Sequence, residues 1–429
     1  MKHKFLMTTF LATTALATNA WAVSCPDGTT LNTNCWSCGD NCTASLVNGK
    51  MTISGTGPMT DYTYTKESST NRYTDAPWFS KISQITSVEI ESGITTIGLG
   101  AFQKATNLTS VSIPNTVTTI RDRAFESTGV VHMTLPDSVQ NIDYGAFYMA
   151  SSLQSINIPS GAVLGDWVFE KATSLSDITL PMDTTVGRGA FKHTAITSLD
   201  MPANMTLGVA DFDSDPIKHV TLPEGLVKIP EGLFAVSDLE TVVIPSSVKE
   251  IDKKAFNACE NLQSVTLPDG LESIGYWAFR LTPITEITIP DTVKFIADEA
   301  FNHCMNLTSV TFSPTDDLVI EPDAFHDLQS KISSGQITFN CAGDIEKCRA
   351  KLRAAGYNTC TIAQAAYDIK DENGKKIRHM NADGTYYDYP DEVAGGFGGI
   401  SSSLGKMWSA PASGGQHPYD ADSLSLQLF

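Results

Sequence analysis

The sequence predicts an α/β solenoid in which about eleven units of 21–24 residues stack and share a parallel β-sheet. A series of prolines recurs every 21 to 24 residues between Pro114 and Pro314. Eleven phenylalanines, from Phe102 to Phe325, keep the same period. Apolar and polar residues alternate before each proline, as in Val111-Ser112-Ile113. A unit of this length buries its apolar face only by stacking on its neighbours, so equivalent strands must lie side by side.

Residues 108–125 illustrate one unit. The alternation at 111–113 is typical of a short strand with one buried and one solvated face, and Pro114 ends it because proline cannot donate a ladder hydrogen bond. The strands are therefore expected to be three to four residues long and to line a concave face. The side chains predicted to point inward are Leu108, Val111, Ile113, Val117, Ile120, Ala124 and Phe125.

The unit resembles the BspA-type leucine-rich repeat of bacterial surface and secreted proteins, which reads roughly L-x-x-[VI]-x-[IL]-P-x-x-[VI]-x-x-I-x-x-x-A-F. The likeness extends over residues 85–340. Units near 165–169, 187–191 and 203–212 depart from it. Their apolar anchors are Val163 or Leu164, Val186 and Leu207, and Val168 and Asp211 stand where the repeat has alanine. The resemblance implies a leucine-rich repeat (LRR) protein that recognises other macromolecules at a cell surface.

The chain begins with a segment typical of a secretory signal peptide. Lys2 and Lys4 are basic, residues 5–20 are mostly apolar, and Ala20-Trp21-Ala22 fits a cleavage site after Ala22. Secretion or display at the cell surface is therefore expected. The formal net charge of −19 disfavours nucleic-acid partners, which require basic patches, and no later stretch is long and apolar enough to be a transmembrane segment.

Both ends of the solenoid are predicted to be capped. Residues 23–84 form a Cys-rich N-terminal cap that contains a β-hairpin at Asn48-Gly49, with Trp78 covering the first unit. Residues 85–340 form the solenoid, and 341–360 form a C-terminal cap with a short helix within 343–355. Residues 361–429 are expected to contain two hairpins, turning at 373–374 and 383–384, and a flexible Gly/Ser-rich tail from 391 to about 420. The strand-like end, 424–429, suggests an alternative role in anchoring.

Seven cysteines cluster at the two ends and are disulfide candidates in an oxidising compartment. They are Cys25, Cys35, Cys38, Cys42, Cys341, Cys348 and Cys360. Zinc bound by the first four is the alternative, and the odd number at the C-terminal end leaves one thiol unpaired unless the protein dimerises. Cys259 and Cys304 lie two units apart, too far for a disulfide, and are predicted to be small buried fillers.

The sequence offers no catalytic or resident metal site, and no cofactor is predicted. The histidines of the solenoid, including His303 and His326, fall in separate repeats, so neither a catalytic triad nor a metal-binding pair is expected. Asp211-x-Asp213-x-Asp215 resembles a calcium loop. The positions that would then hold glycine and an acid hold Pro216 and Leu222, which favours a solvated loop.

The remaining candidates for function are surface residues. The side chains that flank the first core position of each strand are mostly Ser and Thr, which also suit exposed strands in general. Specificity in a shallow groove would come from their charged and amide-bearing neighbours, Glu89, His132, Asn157, Asp177, Asp200, His219 and Glu286. Trp167 and Trp277, two residues before their phenylalanines, are a second set of ligand-binding candidates, with packing against neighbouring turns as the alternative.

We therefore expect an exported, non-enzymatic recognition protein that acts like an adhesin and binds protein or glycan ligands of a host or neighbouring cell. A structural scaffold that displays or anchors the C-terminal segment is the alternative. The oligomeric state and the identity of the ligand do not follow from the sequence.

Overall fold

The computed structural model describes residues 33–66, 72–370, 375–383 and 385–388. The predicted signal peptide, Cys25, the turn residues 373, 374 and 384, the Gly/Ser-rich tail and the strand-like end lie outside the described residues. Within these ranges the chain is a parallel-sheet β-solenoid of about 12 turns with little helix. The predicted stack of repeats is confirmed, and its α component is smaller than the expected α/β class implies.

The N-terminal strands lead directly into the solenoid. Strands β1 (Cys35–Gly39), β2 (Cys42–Val47) and β3 (Lys50–Gly55) pair antiparallel in sequence order. Asn48 and Gly49 both have positive φ, 50° and 83°, as the tight turn between β2 and β3 requires. Strands β4 (Gly57–Pro58), β5 (Tyr64–Lys66) and β6 (Arg72–Thr74) and a 3₁₀ helix (Phe79–Gln84) follow.

Most turns of the solenoid contribute one strand to a parallel series that we call the first ladder. It corresponds to the predicted strands, and β3 joins it by pairing in parallel with β7. Its strands are β7 (Ser87–Ile90), β9 (Ser110–Ser112), β11 (His132–Met133), β13 (Ser155–Asn157), β15 (Asp177–Thr179), β17 (Ser198–Asp200), β18 (His219–Thr221), β20 (Thr241–Val243), β23 (Glu286–Ile289), β25 (Ser309–Phe312), β27 (Thr338–Cys341) and β28 (Thr361–Gln364). The alternation before Pro268 predicts another such strand at 264–266, but these residues do not form one.

A second parallel series, the second ladder, was not predicted. It is built around the Ile120-type residues, which are spaced like the strands of the first ladder but form strands of only two to four residues. After β4 it contains β8 (Ile94–Ile97), β10 (Thr119–Ile120), β12 (Asn141–Ile142), β14 (Val163–Leu164) and β16 (Thr185–Val186), and then β19 (Lys228–Ile229), β21 (Glu250–Ile251), β22 (Ser273–Ile274), β24 (Phe295–Ile296) and β26 (Val319–Ile320). Between these two groups, only an isolated bridge joins Thr185 to Thr206.

The turn around each phenylalanine forms a third line of backbone contacts. Phe102 N donates to Ala124 O at 2.9 Å, and Phe125 N donates to Ala146 O at 2.8 Å. From Phe102 to Phe301, the residues two before and two after the phenylalanine are left-handed, as at Arg123 (φ 55°) and Ser127 (φ 56°). This conformation recurs from turn to turn, so the direction of a side chain such as Trp167 (φ 54°) is set by the repeat itself.

The phenylalanines form the continuous centre of the core. From Phe102 to Phe325, successive rings stack with centroids 5.2 to 5.9 Å apart. Trp78 extends the stack at the N-terminal end, is fully buried, and donates its indole N–H to Ala101 O at 2.8 Å. Tyr357 packs edge-on against Phe325 at the other end. The predicted order of Phe over Phe is therefore confirmed.

After the last phenylalanine the chain forms two helices, α1 (Gln329–Ser333) and α2 (Ile345–Ala354). The carboxylate of Asp344 accepts the N–H groups of Glu346 and Lys347 and so caps α2, which lies within the segment predicted to be helical. Strands β29 (Tyr367–Lys370), β30 (Lys376–Met380) and β31 (Tyr386–Asp388) form a separate antiparallel sheet. A Lys370–Asp291 ion pair of 2.8 Å ties it to the solenoid.

Candidate recognition surface

The first ladder has one face in the core and one face in solvent. We call the solvent side its outward face. It consists of two rows of side chains: the first row contains the residue before the first core residue of each strand, and the second row contains the residue after it. The pairing aligns Ser155 with Asp177 in the first row and Asn157 with Thr179 in the second. The predicted candidates divide between the rows, with His132, Asp177, His219 and Glu286 in the first and Glu89, Asn157 and Asp200 in the second.

The two histidines of the outward face make equivalent contacts. His132 Nδ1 lies 2.8 Å from the hydroxyl oxygen of Ser155, and His219 Nδ1 lies 2.9 Å from that of Thr241. In both cases the partner is the aligned residue of the next strand. The register of the ladder thus places each imidazole beside a hydroxyl, which holds the ring in a defined orientation along the surface.

Two other candidates make contacts that stabilise the fold. The side-chain amide of Asn157 accepts from Leu135 N at 2.8 Å and donates to Leu135 O at 2.9 Å, so it replaces backbone pairing just beyond the end of β11. Glu89 forms an ion pair with Lys50 at 2.5 Å. The polar groups of both side chains are therefore already engaged within the protein.

Asp177, Asp200 and Glu286 differ from these candidates because they are exposed and make no ion pair with the described residues. Asp177 also lies at an open groove of about 520 Å³ on β11, β13 and β15. Thr134, Ser155, Asn157 and Thr179 line the same groove. Its remaining walls are apolar, formed by Met133, Ile156, Ile158 and Pro181. The sequence identified the polar residues of this groove through their alternation, but not the contribution of Ile158 and Pro181.

Trp167 is half-buried and packs across successive turns. Its ring centroid lies 5.1 Å from that of Tyr144 in an edge-to-face arrangement, and Arg188 lies 6.0 Å from it. Its indole atoms lie 2.6 and 2.8 Å from the position that a Cβ on Gly189 would occupy, so the indole covers the Cα of the next turn. Glycine at this left-handed position provides the space that the indole fills.

Trp277 is held by a different set of contacts. Its indole N–H donates to Glu299 at 2.8 Å, and its ring stacks on Tyr276 with centroids 4.7 Å apart. The guanidinium of Arg280 lies 4.6 Å from the ring centroid and the ammonium of Lys254 lies 5.4 Å from it. These contacts, from its own turn and from the two neighbouring turns, occupy much of the ring that a sugar would stack on, so the geometry favours the packing alternative for Trp277.

The acidic sequence at 211–215 is not the solvated loop that the sequence favoured. Asp211 and Asp215 are buried, at 0% and 2% exposure. Ala190 N donates to Asp211 at 3.3 Å, Lys192 Nζ to Asp213 at 2.7 Å, and Thr194 N to Asp215 at 2.6 Å. Each aspartate thus contacts a residue of the preceding turn. The expectation of a solvated loop was wrong because these partners lie 21 residues upstream and are not local in sequence.

Burial dominates the electrostatics of this acidic turn. It raises the pKa of Asp211 to about 8, against the opposing effect of the N–H groups of Gly208, Ala190 and Gly189. Burial likewise raises the pKa of Asp215 to about 8, and one of its carboxyl oxygens has no hydrogen-bond partner. The carboxyl groups therefore favour the protonated form and act as structural links between turns.

His303 and His326 are nearer to each other than the sequence suggested. They lie on successive turns, and both contact Asp327, at 2.8 Å from His303 Nδ1 and 3.5 Å from His326 Nε2. The two residues belong to separate repeats, as expected, but the turns around Phe301 and Phe325 stack directly and so bring both rings to one carboxylate. In the described ranges, no three His, Cys, Asp or Glu side chains are placed to hold a metal ion.

The described cysteines form disulfides near both ends of the solenoid. Cys38 is bonded to Cys42 and Cys341 to Cys348, while Cys35 is also disulfide-bonded. Cys360 is a free, half-buried thiol.

Cys259 and Cys304 are fully buried and donate to the carbonyl oxygens of Phe234 and Phe279. Burial raises the pKa of these thiols to about 12 and about 11, so they are unreactive. Both therefore act as small core residues, as the sequence predicted.

None of the helices in the described part of the chain is long and apolar enough to cross a membrane. The candidate residues of the outward face thus make three kinds of contact: hydrogen bonds between the histidines and hydroxyl groups of the next strand, backbone contacts of Asn157, and the Glu89–Lys50 ion pair.

Comparison with solved structures finds similar solenoids in bacteria. A leucine-rich cell surface protein of Faecalibacterium prausnitzii is 21% identical with a TM-score of 0.40, covering 72% of this chain and 96% of that one. A leucine-rich repeat protein of Bacteroides ovatus is 20% identical with a TM-score of 0.38, covering 70% and 98%. The pneumococcal vaccine antigen PcpA is 15% identical with a TM-score of 0.42, covering 78% and 99%.

The family comparison is more specific. No match was found among curated proteins. The model of the BspA type leucine rich repeat region matches residues 74–186, 145–259 and 227–342, with six copies of the region. These ranges cover more than half of the chain and coincide with the stacked turns described above. The protein therefore belongs to the BspA-type leucine-rich repeat family.

Proposed function

We propose that the protein is an exported recognition protein of the bacterial surface that binds protein or glycan ligands of a host or neighbouring cell. Family membership supports a binding or surface role, and one structural relative is a cell surface protein. The basic and apolar N-terminal segment, with its cleavage site after Ala22, supports export. No group in the described residues suggests an enzymatic reaction, and the proposal requires neither catalysis nor a cofactor.

The open groove on β11, β13 and β15 is the observation that carries this proposal. It combines apolar walls with hydroxyl groups and the carboxylate of Asp177, a composition typical of sites that fix a ligand with a few polar contacts. The groove lies on a regular parallel sheet, so its polar groups are held at fixed spacings. We propose that ligands cross the outward face here, with His132, Asp200 and His219 providing further contacts.

Steric blocking of the groove tests the proposal. Thr179→Trp places an indole in the groove, whereas Thr185→Trp places the same side chain on the exposed second ladder of the same repeat. The chain from residue 23 is incubated with extracellular matrix proteins, a glycan array and intact cells. Thr179→Trp is expected to abolish the binding that wild type and Thr185→Trp retain. Equal binding by all three proteins would contradict the groove as the binding site. No binding by wild type would contradict the proposed function.

Fractionation of the producing cells tests export and attachment. Full-length protein is expected in the surface or medium fraction, with its N-terminus at Val23. The chain truncated after Cys360 separates the two proposed roles of the C-terminal segment. Release of this truncated protein into the medium would favour the scaffold alternative, in which the solenoid displays residues 361–429 or is anchored by them. If the truncated protein stayed in the surface fraction, residues 361–429 would not be the anchor, and ligand binding by the solenoid would remain the proposed role.

A further inference from the structure

We propose that the outward face of the first ladder binds an extended polypeptide segment through its lysine or arginine side chains. This inference rests on the proposed function and adds the chemical class of the partner. The groove indicates where a ligand lies, whereas the charges of the face indicate what that ligand must carry.

The outward face carries negative charge that the protein does not compensate. No lysine or arginine occupies either outward row from β7 to β28, whereas four carboxylates do. Only Glu89 has a cationic partner, Lys50. Asp177, Asp200 and Glu286 are exposed and form no ion pair with the described residues. A docked cation would neutralise these groups without displacing an existing partner.

The second ladder provides a contrast within the same turns. There, Lys228 bridges Glu250 and Asp252, each at 2.9 Å, and Lys294 pairs with Glu272 at 2.8 Å. Each of these lysines is therefore paired with a carboxylate one turn away. Cross-turn ion pairs are therefore available to this fold, but Asp177, Asp200 and Glu286 form none with the described residues.

The positions of the carboxylates require an extended partner. Asp177 and Glu286 lie five turns apart, which corresponds to roughly 24 Å at the usual spacing of paired strands. An extended polypeptide covers this distance in about seven residues. Hydroxyl groups such as Ser198 and Thr221 line the path and can bond to the partner's backbone.

Val243, 59% exposed, interrupts the hydroxyl groups between Asp200 and Glu286. It offers an apolar contact for the aliphatic stem of a lysine. The face thus combines carboxylates for the charged ends, hydroxyls for the backbone and one apolar residue for a side-chain stem.

The charge of the face also excludes an acidic partner. An anionic glycan or acidic peptide would place like charges opposite Asp177, Asp200 and Glu286. The formal net charge of −19 would repel such ligands at longer range as well. A cationic segment is attracted at both distances.

The experiment uses the chain from residue 23 and three fluorescent peptides of about 12 residues, long enough to span the carboxylates in extended form. The first alternates lysine with serine, the second carries Nε-acetyl-lysine at the same positions, and the third alternates glutamate with serine. The test variant is Asp177→Asn/Asp200→Asn/Glu286→Gln. The matched control is Asp137→Asn/Glu224→Gln/Asp269→Asn. It removes the same number and types of exposed acid at positions outside the outward face, each directly after a proline that follows a strand position of the repeat.

Binding is measured by fluorescence anisotropy at low and high salt. We expect the lysine peptide alone to bind, with about tenfold weaker binding to the test variant and little change for the control, since each exposed ion pair contributes modestly. Its affinity should also fall as salt rises. Equal binding of the acetylated peptide, or equal weakening in both variants, would overturn the proposal.

A separate result distinguishes this inference from the proposed function. If a matrix protein or glycan bound wild type but not Thr179→Trp, and the lysine peptide did not bind, the groove would remain and the cationic partner would be excluded. If wild type bound neither the lysine peptide nor any matrix protein, glycan or cell, both the cationic partner and the proposed function would be excluded.

Discussion

The phenylalanine stack and the acidic turn at 211–215 both join successive turns of the solenoid, the first through apolar contacts and the second through polar ones. In the stack, rings from Phe102 to Phe325 meet face to face and exclude water. In the acidic turn, the alanine that precedes the phenylalanine is replaced by Asp211, yet Phe212 still stacks on both neighbours, at 5.4 and 5.7 Å. The apolar column thus continues through a region where the surrounding contacts have become polar.

The difference shows what the repeat requires and what it can exchange. At the acidic turn, the second ladder is reduced to the isolated Thr185–Thr206 bridge. The three alternating aspartates link the same turn to the one before it, at residues 190, 192 and 194. Ring stacking is therefore the constant element, while backbone pairing in a ladder can be lost where side-chain contacts join the turns.

The largest effect is expected from breaking the stack. Phe256→Ala should lower the free energy of unfolding by about 3–5 kcal/mol, because it removes buried apolar surface and leaves a cavity between Phe234 and Phe279. Urea denaturation followed by circular dichroism measures the loss. The exposed Phe295 provides the control, since Phe295→Ala should change the stability by less than about 1 kcal/mol. Equal effects of the two substitutions would show that the stack does not dominate stability.

A smaller effect is expected from breaking the polar links. Asp211→Ala leaves the N–H groups of Ala190, which is buried, and Gly208, which is half-buried, without their acceptor and should cost about 1–3 kcal/mol. Asp213→Ala removes the more exposed Lys192 pair and should cost about 0–1 kcal/mol. The same urea titrations, carried out at pH 6, measure both. A larger loss for Asp213→Ala would contradict the assignment of Asp211 as the structural link.

The regular features of the molecule were predictable because they depend on a period that is visible in the sequence. The recurring Pro and Ala-Phe positions place the first ladder and the stack, since burial of one apolar face requires equivalent residues to align. The second ladder was missed because its strands, such as Thr119–Ile120, are too short to show an alternating pattern. The prediction of a strand at 264–266 was wrong, and nothing in the structure explains why this segment does not form one.

The site was predictable only to the level of which residues face solvent. Alternation identified Asp177 and Asn157 as outward residues, but their roles depend on contacts between turns. Asn157 binds the backbone of Leu135, 22 residues upstream, whereas Asp177 has no such partner. Both positions have the same pattern in the sequence, so only the folded arrangement distinguishes a structural amide from a carboxylate left open to a ligand.

The pH dependence of stability sharpens the comparison further, because the stack contains no titrating group. The folded-state pKa of Asp211 and that of Asp215 are raised from 3.8 to about 8, mainly by burial. Between these values the folded protein holds protons that the unfolded chain releases. Their contribution is complete below the unfolded pKa and is lost as pH rises through about 8.

This loss is measurable as a slope against pH. Stability should fall by at most about 1.4 kcal/mol per pH unit for each carboxyl near neutral pH. Asp211→Asn/Asp215→Asn removes both groups, so its unfolding midpoint should depend less on pH between 6 and 8 than that of wild type. Phe256→Ala, which leaves both carboxyls in place, should keep the wild-type slope at lower overall stability. If the double variant kept that slope as well, the pH dependence would arise elsewhere and the acidic turn would be held by ionised carboxylates.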